Sequence, residues 1–190
     1  MELIDLGETF PKSEFKVFSG AIKDGGVVKA INAKNFACVT TGQMNHLTET
    51  AQLHGAKGLA FIKVEDGEWK SPIVKFFSEE EKEALSKAMS IEEGDLILFG
   101  AGDWPTVCEV LGRIRLECSQ YLEITKNDPS LNFLWVTDFP LLSKDKETGK
   151  WNAVHHPFTR PKKEDEHLLD DESKFGEIRA EAYDVVLNGN

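Results

Sequence analysis

The sequence predicts an α+β fold in two parts: a two-layer unit with an antiparallel sheet under helices, then a shorter set of antiparallel strands. Helix-start signals precede apolar residues at helical spacing, short strand-forming runs lie beside glycines, and the pattern changes near residues 125–130. The break Asn127-Asp128-Pro129 falls at that change. We therefore expect one domain over residues 1–125 and an incomplete second domain over residues 126–190.

The strands of the first part are predicted from β-forming residues and turn signals. Residues 14–32 are predicted to form a hairpin, because aromatic and β-branched residues flank an Asp24-Gly25-Gly26 turn. Residues 58–64 and 95–99 are predicted strands, and the second is short and bounded by glycines. These runs supply the sheet of the first domain.

Three helices are predicted from their start signals. Thr40 with Gln43 and Ser78 with Glu81 match the capping box, in which each residue of the pair satisfies a backbone N–H of the other. The longest helix is predicted over residues 103–125, with a proline in its first turn. Its apolar face consists of Val107, Val110, Leu111, Ile114, Cys118, Tyr121 and Leu122.

The second part has a different pattern. Residues 133–136 are almost wholly apolar, which is typical of a strand covered on both faces. A charged turn over 144–150 leads to a partner strand over 151–154. Residues 162–174 are polar and acidic, which predicts a surface loop or short helix, and 182–187 form a last predicted strand.

Composition limits the classes of function. The formal net charge of −11 and pI near 4.9 argue against a general nucleic-acid surface, because phosphate binding depends on Lys and Arg clusters. Cys38, Cys108 and Cys118 lack metal-site spacing and are expected to be reduced, buried thiols of a cytoplasmic protein. The motifs of P-loop, Rossmann, zinc-protease and α/β-hydrolase sites are absent from the sequence.

The two ends of the chain carry their own expectations. No basic-then-apolar leader opens the sequence, and its apolar runs are far too short to cross a membrane. The last predicted strand is followed at once by Asn188-Gly189-Asn190, where a turn would begin. We therefore expect a truncated piece of a longer protein.

The adjacent histidines His155 and His156, followed by Pro157, are the first candidate site. A residue before proline is held extended, and neighbouring side chains of an extended backbone point to opposite faces. The two rings should therefore have different roles. An imidazole can donate or accept a hydrogen bond near neutral pH, which suits recognition of a carboxylate or an amine. The alternative is a pair of surface or structural histidines.

Asp184 is the second candidate, because a carboxylate is poorly placed inside a plain core strand. It could bind Mg²⁺, which prefers carboxylate oxygens and often shares its ligands with phosphates. The alternative is an outward-facing side chain on an edge strand. Asp138 is interpreted as a turn former. The basic cluster Arg160, Lys162 and Lys163 is only weak support for a phosphate contact, because acidic residues follow it directly.

Three sequence blocks in the second part carry a specific resemblance. FLWVTDFPLL, WNAVHHPFTRP and AYDVVLNG occur in that order, and together they closely resemble bacterial-type aspartyl-tRNA synthetases of class II. In the first part, SEFKVFSGAI, GLAFIKV and LILFGAGDWPTVCEVLGRIR are similar to the GAD domain, an insertion in the catalytic domain of that family. The resemblance covers nearly the whole chain. It implies a GAD-like insertion domain joined to part of the antiparallel catalytic sheet.

The resemblance also implies an activity and its site residues. The family activates L-aspartate with ATP and Mg²⁺ to aspartyl-adenylate and transfers the aspartyl group to tRNA. By resemblance His155 contacts aspartate, His156 shapes the same pocket, and Asp184 binds Mg²⁺ and the ATP phosphates. The resemblance further implies a homodimeric parent protein in the cytoplasm without a membrane segment. Other ATP-binding motifs of the family are missing, so the fragment alone is expected to be inactive.

A second hypothesis assigns the chain no catalytic function. In this reading residues 1–125 form a self-sufficient module that binds tRNA or a protein, and the remainder is attached sequence without independent activity. Both hypotheses can hold for the parent protein, but they differ in what the first domain does alone.

Overall fold

The computed structural model describes residues 1–126, 129–145 and 147–188. Parts of the predicted break at 127–129 and of the predicted terminal turn at 188–190 lie outside these ranges. The contacts divide the chain into two compact units, residues 1–128 (unit 1) and 129–190 (unit 2). Both contain helical turns and antiparallel strands, so the predicted α+β class is confirmed.

Unit 1 is built on a five-stranded antiparallel sheet. Its strands are β1 Ile4–Asp5, β2 Val27–Ala33, β3 Ala60–Glu65, β4 Glu68–Lys70 and β5 Leu96–Gly102. They lie in the order β1-β2-β5-β3-β4. The central pair β2 and β5 runs in register from Val27 opposite Gly102 to Ala33 opposite Leu96. Both strands bury side chains on both faces, which requires cover from above and below.

Four α-helices cover this sheet: α1 Lys16–Lys23, α2 Thr41–Leu53, α3 Glu79–Met89 and α4 Trp104–Tyr121. Both predicted capping boxes are confirmed, with Thr40 and Ser78 as the N-caps of α2 and α3. Helix α4 begins after Asp103, whose side chain accepts the backbone N–H of Thr106. The short polar residues at these positions therefore define the three helix starts that the sequence predicted.

Unit 1 has a hydrophobic core on each face of its sheet. Helices α2 and α4 pack on the face formed by Ile31, Ala33, Leu96 and Leu98. Helices α1 and α3 contribute Phe18, Leu85 and Met89 to the other face, which carries Val28, Ala30, Ile97 and Phe99. The arrangement has three layers, whereas the sequence predicted two. The third layer arises because the central strands are apolar at consecutive positions.

The predicted hairpin over residues 14–32 is wrong, because its first half is helix α1. Phe15, Phe18 and Ile22 recur at spacings of three and four, so they lie on one helix face. The ring of Phe18 is buried against Phe99, whereas Val17 is exposed. The second half is strand β2, as expected, so the Asp24-Gly25-Gly26 turn joins a helix to a strand.

We expect Gly26→Ala to destabilise unit 1 by about 1–3 kcal/mol, as overpacking does. A Cβ at this position would lie 2.4 Å from the carbonyl oxygen of Gly102, and this backbone atom cannot move aside. Urea unfolding followed by circular dichroism measures the effect. Gly20→Ala is the control, because nothing lies within 4 Å of its Cβ position inside α1. It should add about 0.5–1 kcal/mol by improving the helix, and a loss would contradict the helical assignment of residues 16–23.

Within the described residues of unit 2 there are two separate strand pairs and two 3-10 helices. Strand β6 Phe133–Val136 pairs with β9 Asp184–Leu187, and β7 Leu142–Lys144 pairs with β8 Trp151–Ala153. The 3-10 helices span Lys163–Asp170 and Glu172–Glu177, within the segment predicted as an acidic loop or short helix.

The prediction that β6 is covered on both faces is wrong for this chain. Phe133 and Trp135 are 65% and 63% exposed, and their neighbour Leu134 is exposed too. Strand β6 pairs with β9 alone among the described strands. A two-stranded ribbon buries little on either face, so the apolar side chains stay accessible to solvent.

The three cysteines differ in their exposure to solvent. Cys118 is buried, which raises the pKa of its thiol to about 12, and Cys108 is half-buried. Cys38 is exposed, so the prediction of buried thiols is wrong at that position. Among the described residues, no helix combines the length and apolar character needed to cross a membrane.

Candidate functional site

The candidate site of unit 2 is built around one extended segment, residues 178–181. On one side it hydrogen-bonds to residues 139–141, with Leu141 N donating to Ile178 O (2.8 Å) and Ala180 N donating to Phe139 O. On the other side it bonds to residues 160–162, with Lys162 N donating to Arg179 O (2.8 Å). Ile178 and Ala180 are buried and anchor the segment. It therefore holds the chain before β7 and the chain after the histidines in fixed register.

The two histidines lie between β8 and this segment, and both are exposed. The ring of His155 meets Phe139 edge to face, with centroids 4.7 Å apart and planes at 84°. The ring of His156 contacts Phe158 instead, and its Nδ1 accepts the backbone N–H of Phe158 (3.3 Å). The two imidazoles therefore have different aromatic neighbours.

Asp184 begins strand β9 opposite Val136 of β6, and its side chain is exposed. No hydrogen bond or ring contact joins it to His155 or His156 in the described part of the chain. Within the same residues, no group of three His, Cys, Asp or Glu side chains could hold a metal ion.

An acidic and basic network occupies the same region. The guanidinium of Arg179 donates two hydrogen bonds to Asp165, at 2.8 and 2.9 Å. The carboxylate of Asp138 accepts from Lys162 and, at 3.4 Å, from Arg179. Arg179 was not singled out from the sequence. The sequence does carry one indication of its importance, because this charged residue lies between the apolar Ile178 and the small Ala180.

These contacts shift the ionisation of both acids. The hydrogen bonds from Arg179 lower the pKa of Asp165 to about 2, and that of Asp138 is lowered chiefly by Lys162. Conversely, the pKa of the Arg179 guanidinium is raised, and the main cause is its hydrogen bond to Asp165. Asp138, Asp165 and Arg179 therefore carry full charge near neutral pH.

A surface cleft of about 510 Å³ adjoins this network. The basic cluster predicted from the sequence lines it, but Arg160 pairs with Glu181 and Lys162 pairs with Asp138. The cationic side chains are thus largely neutralised by their own neighbours, which leaves the phosphate contact without further support. The lining residues are Arg160, Lys162, Lys163, Glu164, Arg179 and Glu181.

Comparison with known proteins first defines the class of unit 1. Residues 18–111 match the GAD domain family. The match begins inside helix α1, includes strands β2 to β5 and ends inside helix α4. The three-layer unit described above therefore contains a GAD domain, as the sequence resemblance implied.

The whole chain, unit 2 included, is similar to curated bacterial enzymes. It is 50% identical over 193 residues to the aspartate–tRNA(Asp/Asn) ligase of Opitutus terrae, covering 100% of this chain and 32% of that protein. It is 46% identical over 190 residues to the ligase of the same name from Desulfotalea psychrophila, covering 100% of this chain and 31% of that protein. The aspartate–tRNA ligase of Geobacillus kaustophilus is 47% identical over 190 residues, with coverage of 100% and 32%.

The chain belongs to the family of bacterial-type aspartate–tRNA ligases. It spans about a third of the length of the curated relatives that it matches. The family is therefore shown by the agreement of the GAD match and whole-chain identity, whereas the roles of individual residues in unit 2 stay predictions.

Proposed function

We propose that the protein to which this chain belongs is an aspartate–tRNA ligase, which activates L-aspartate with ATP and transfers it to tRNA. The observation that carries this proposal is the identity of 45–50% across the whole chain. Full-length protein should catalyse aspartate-dependent exchange of pyrophosphate into ATP and should charge tRNA. Absence of aspartate-dependent exchange in a folded full-length protein would overturn the proposal.

His155 is the proposed aspartate contact in this function. Its imidazole is exposed, so it is accessible to a substrate, and its orientation is restrained by the edge-to-face contact with Phe139. A neutral or protonated imidazole can donate a hydrogen bond to a carboxylate. His156 shapes the pocket from its own position beside Phe158.

Asp184 is the proposed ligand for Mg²⁺ and the neighbour of the ATP phosphates. The donor chemistry fits, because Mg²⁺ is commonly bound by one or two carboxylates together with substrate phosphates. A bound Mg²⁺ neutralises phosphate charge that would otherwise repel the attacking carboxylate. Asp184 lies exposed at the start of β9, where a phosphate can approach it.

The proposed reaction needs positioning more than it needs a nucleophilic side chain. Aspartate itself attacks the α-phosphate, so the protein must hold two anionic groups in line and offset their repulsion. We propose that the 190-residue chain alone does not charge tRNA, because it spans only part of its relatives. We also propose a cytoplasmic homodimer as the working form of the full-length enzyme.

His155→Ala in the full-length enzyme is expected to raise the KM for aspartate about tenfold or more, with the KM for ATP nearly unchanged. The estimate follows from losing a hydrogen bond to a charged group, which contributes about 1.5–3 kcal/mol. Steady-state pyrophosphate exchange measures both constants. His167→Ala is the control, because this histidine is exposed on a 3-10 helix. An unchanged aspartate KM would contradict the substrate role of His155.

A second function is proposed for unit 1, which has its own two hydrophobic cores and matches the GAD domain family. Such a unit can act as a binding module for tRNA or a protein. We expect residues 1–125 to bind tRNA at low salt and to release it as salt rises, since phosphate contacts release counterions. No binding across the salt series would exclude the tRNA role.

A further inference from the structure

Asp138 sits at a conformationally unusual position of unit 2. Its φ of +60° lies in the left-handed region, which aspartate tolerates better than most residues. The residue turns the chain between strand β6 and Phe139. Its carboxylate accepts hydrogen bonds from Thr137 Oγ1 (3.2 Å), from Lys162 Nζ and from Arg179 Nη1 (3.4 Å). The unusual backbone is therefore secured by side chains from two other segments.

Arg179 is itself held firmly. Its side chain makes a two-pronged contact with Asp165, whose carboxylate is only 10% exposed, and its backbone N–H donates to the same acid (3.0 Å). Planar bidentate pairs of this kind fix orientation as well as adding energy. Arg179 therefore presents its remaining guanidinium N–H groups to Asp138 from a defined place.

Phe139 links this network to the candidate site. The carbonyl oxygen of Phe139 accepts the backbone N–H of Ala180, the residue after Arg179. Its ring makes the edge-to-face contact with His155, at a centroid distance of 4.7 Å. A change in the backbone at Asp138 would redirect the Phe139 ring, because the two residues share a peptide bond. The hydrogen-bonded series Asp165, Arg179 and Asp138 is thus connected to the His155 ring through Phe139.

We propose that Asp138 is a positioning residue that, through Phe139, sets the orientation of the His155 imidazole. Lys162 and Arg179 act in the same device by holding the carboxylate of Asp138. The consequence for aspartate recognition rests on the function proposed for His155. The structural part does not, because it concerns contacts within the chain.

The structural part is tested by NMR on the 190-residue chain at a pH of about 8.5, where imidazoles are neutral. The Phe139 ring should displace the His155 proton resonances, and Phe139→Leu defines their position without that ring. Asp138→Asn is expected to move the His155 signals toward the Phe139→Leu position while those of His156 stay in place. Glu181→Gln is the matched control, because Glu181 and Asp138 are both 48% exposed and each pairs with a basic side chain.

Unchanged His155 resonances in Asp138→Asn would overturn the proposal. If that variant also shifts His156, unit 2 has been disturbed as a whole, and Arg179→Lys replaces it. The lysine keeps the charge but cannot bridge Asp165 and Asp138 with a planar fork. It should produce the same selective shift of His155, and a shift of neither histidine would overturn the proposal.

The functional part is tested in the full-length enzyme. Asp138→Asn should raise the KM for aspartate about fivefold to tenfold, leave the KM for ATP unchanged, and have little further effect when combined with His155→Ala. Fully additive losses would show that Asp138 does not act through His155. If the wild-type enzyme shows no aspartate-dependent exchange, the proposed function fails, whereas the NMR result still decides whether Asp138 positions the ring.

Discussion

Replacing Asp184 by asparagine in the full-length enzyme is expected to reduce aspartate-dependent pyrophosphate exchange by about a hundredfold or more. Even the substitution of a residue that only supports a metal ligand reduces metal affinity or activity about 10–100-fold. Asp184 is proposed as a direct ligand, so its loss should reduce exchange at least as strongly. The substitution keeps the size of the side chain, so the loss reports the missing negative charge.

The dependence on Mg²⁺ separates this role from a structural one. Asp184→Asn should require a higher Mg²⁺ concentration for half-maximal exchange, because the site loses one anionic oxygen donor. Asp170→Asn is the control, since this carboxylate is exposed at the end of a 3-10 helix in the same unit. An Asp184→Asn enzyme with wild-type exchange at limiting Mg²⁺ would contradict the metal role.

The local features of unit 1 could be predicted because their causes are local. Thr40 and Ser78 define helix starts through hydrogen bonds to residues only three positions away. The first hairpin failed for a related reason. In SEFKVFSGAI two patterns compete. Phe15 and Val17 alternate as in a strand, whereas Phe15 and Phe18 have helical spacing. The packing of Phe18 on Phe99 decides for the helix. That contact spans 81 positions and is not visible in a short window.

Tertiary pairing explains what the sequence could not reveal about the candidate site. The histidine motif was recognisable as a motif, but its contact with Phe139 depends on how segment 178–181 joins two distant segments. Asp138 was interpreted as a turn former, which describes its backbone but not its bond to Arg179 41 positions away. Strand β6 is a third example, in which the local sequence predicted burial that tertiary pairing does not provide. Its apolar residues predicted burial, whereas burial requires neighbouring strands that the described chain does not supply.

Removing the carboxylate of Asp95 is expected to destabilise unit 1 by about 3 kcal/mol, the scale of hydrogen bonds to a charged group. Asp95 is 1% exposed and precedes strand β5. It accepts hydrogen bonds from Asn32 Nδ2, Lys34 Nζ and the backbone N–H of Glu92, each at 2.9 Å. In Asp95→Ala these donors, which join β2 to the start of β5, lose their acceptor. Urea unfolding of the 190-residue chain measures the change.

A second variant, Asp95→Asn, keeps the size of the side chain, so the pH dependence of its destabilisation identifies the charge as the cause. Burial alone would raise the pKa of Asp95, but the hydrogen bonds from Asn32, Glu92 and Lys34 outweigh it, so the pKa lies below its ordinary value of 3.8. The stabilisation is therefore complete above the unfolded-state pKa and is lost as pH falls through the folded-state value. The gap between wild type and Asp95→Asn should be constant near neutral pH and should close below about pH 4.

Asp66→Asn provides the comparison that makes this result specific. Its carboxylate also pairs with a lysine, Lys70, but it is almost fully exposed at a turn. Exposed ion pairs are weakened by solvent and salt, so this variant should unfold at nearly the wild-type urea concentration. A similar loss in Asp66→Asn and Asp95→Asn would indicate a general effect of net charge. A loss confined to Asp95 and abolished in acid would instead show that one buried carboxylate joins β2 to β5.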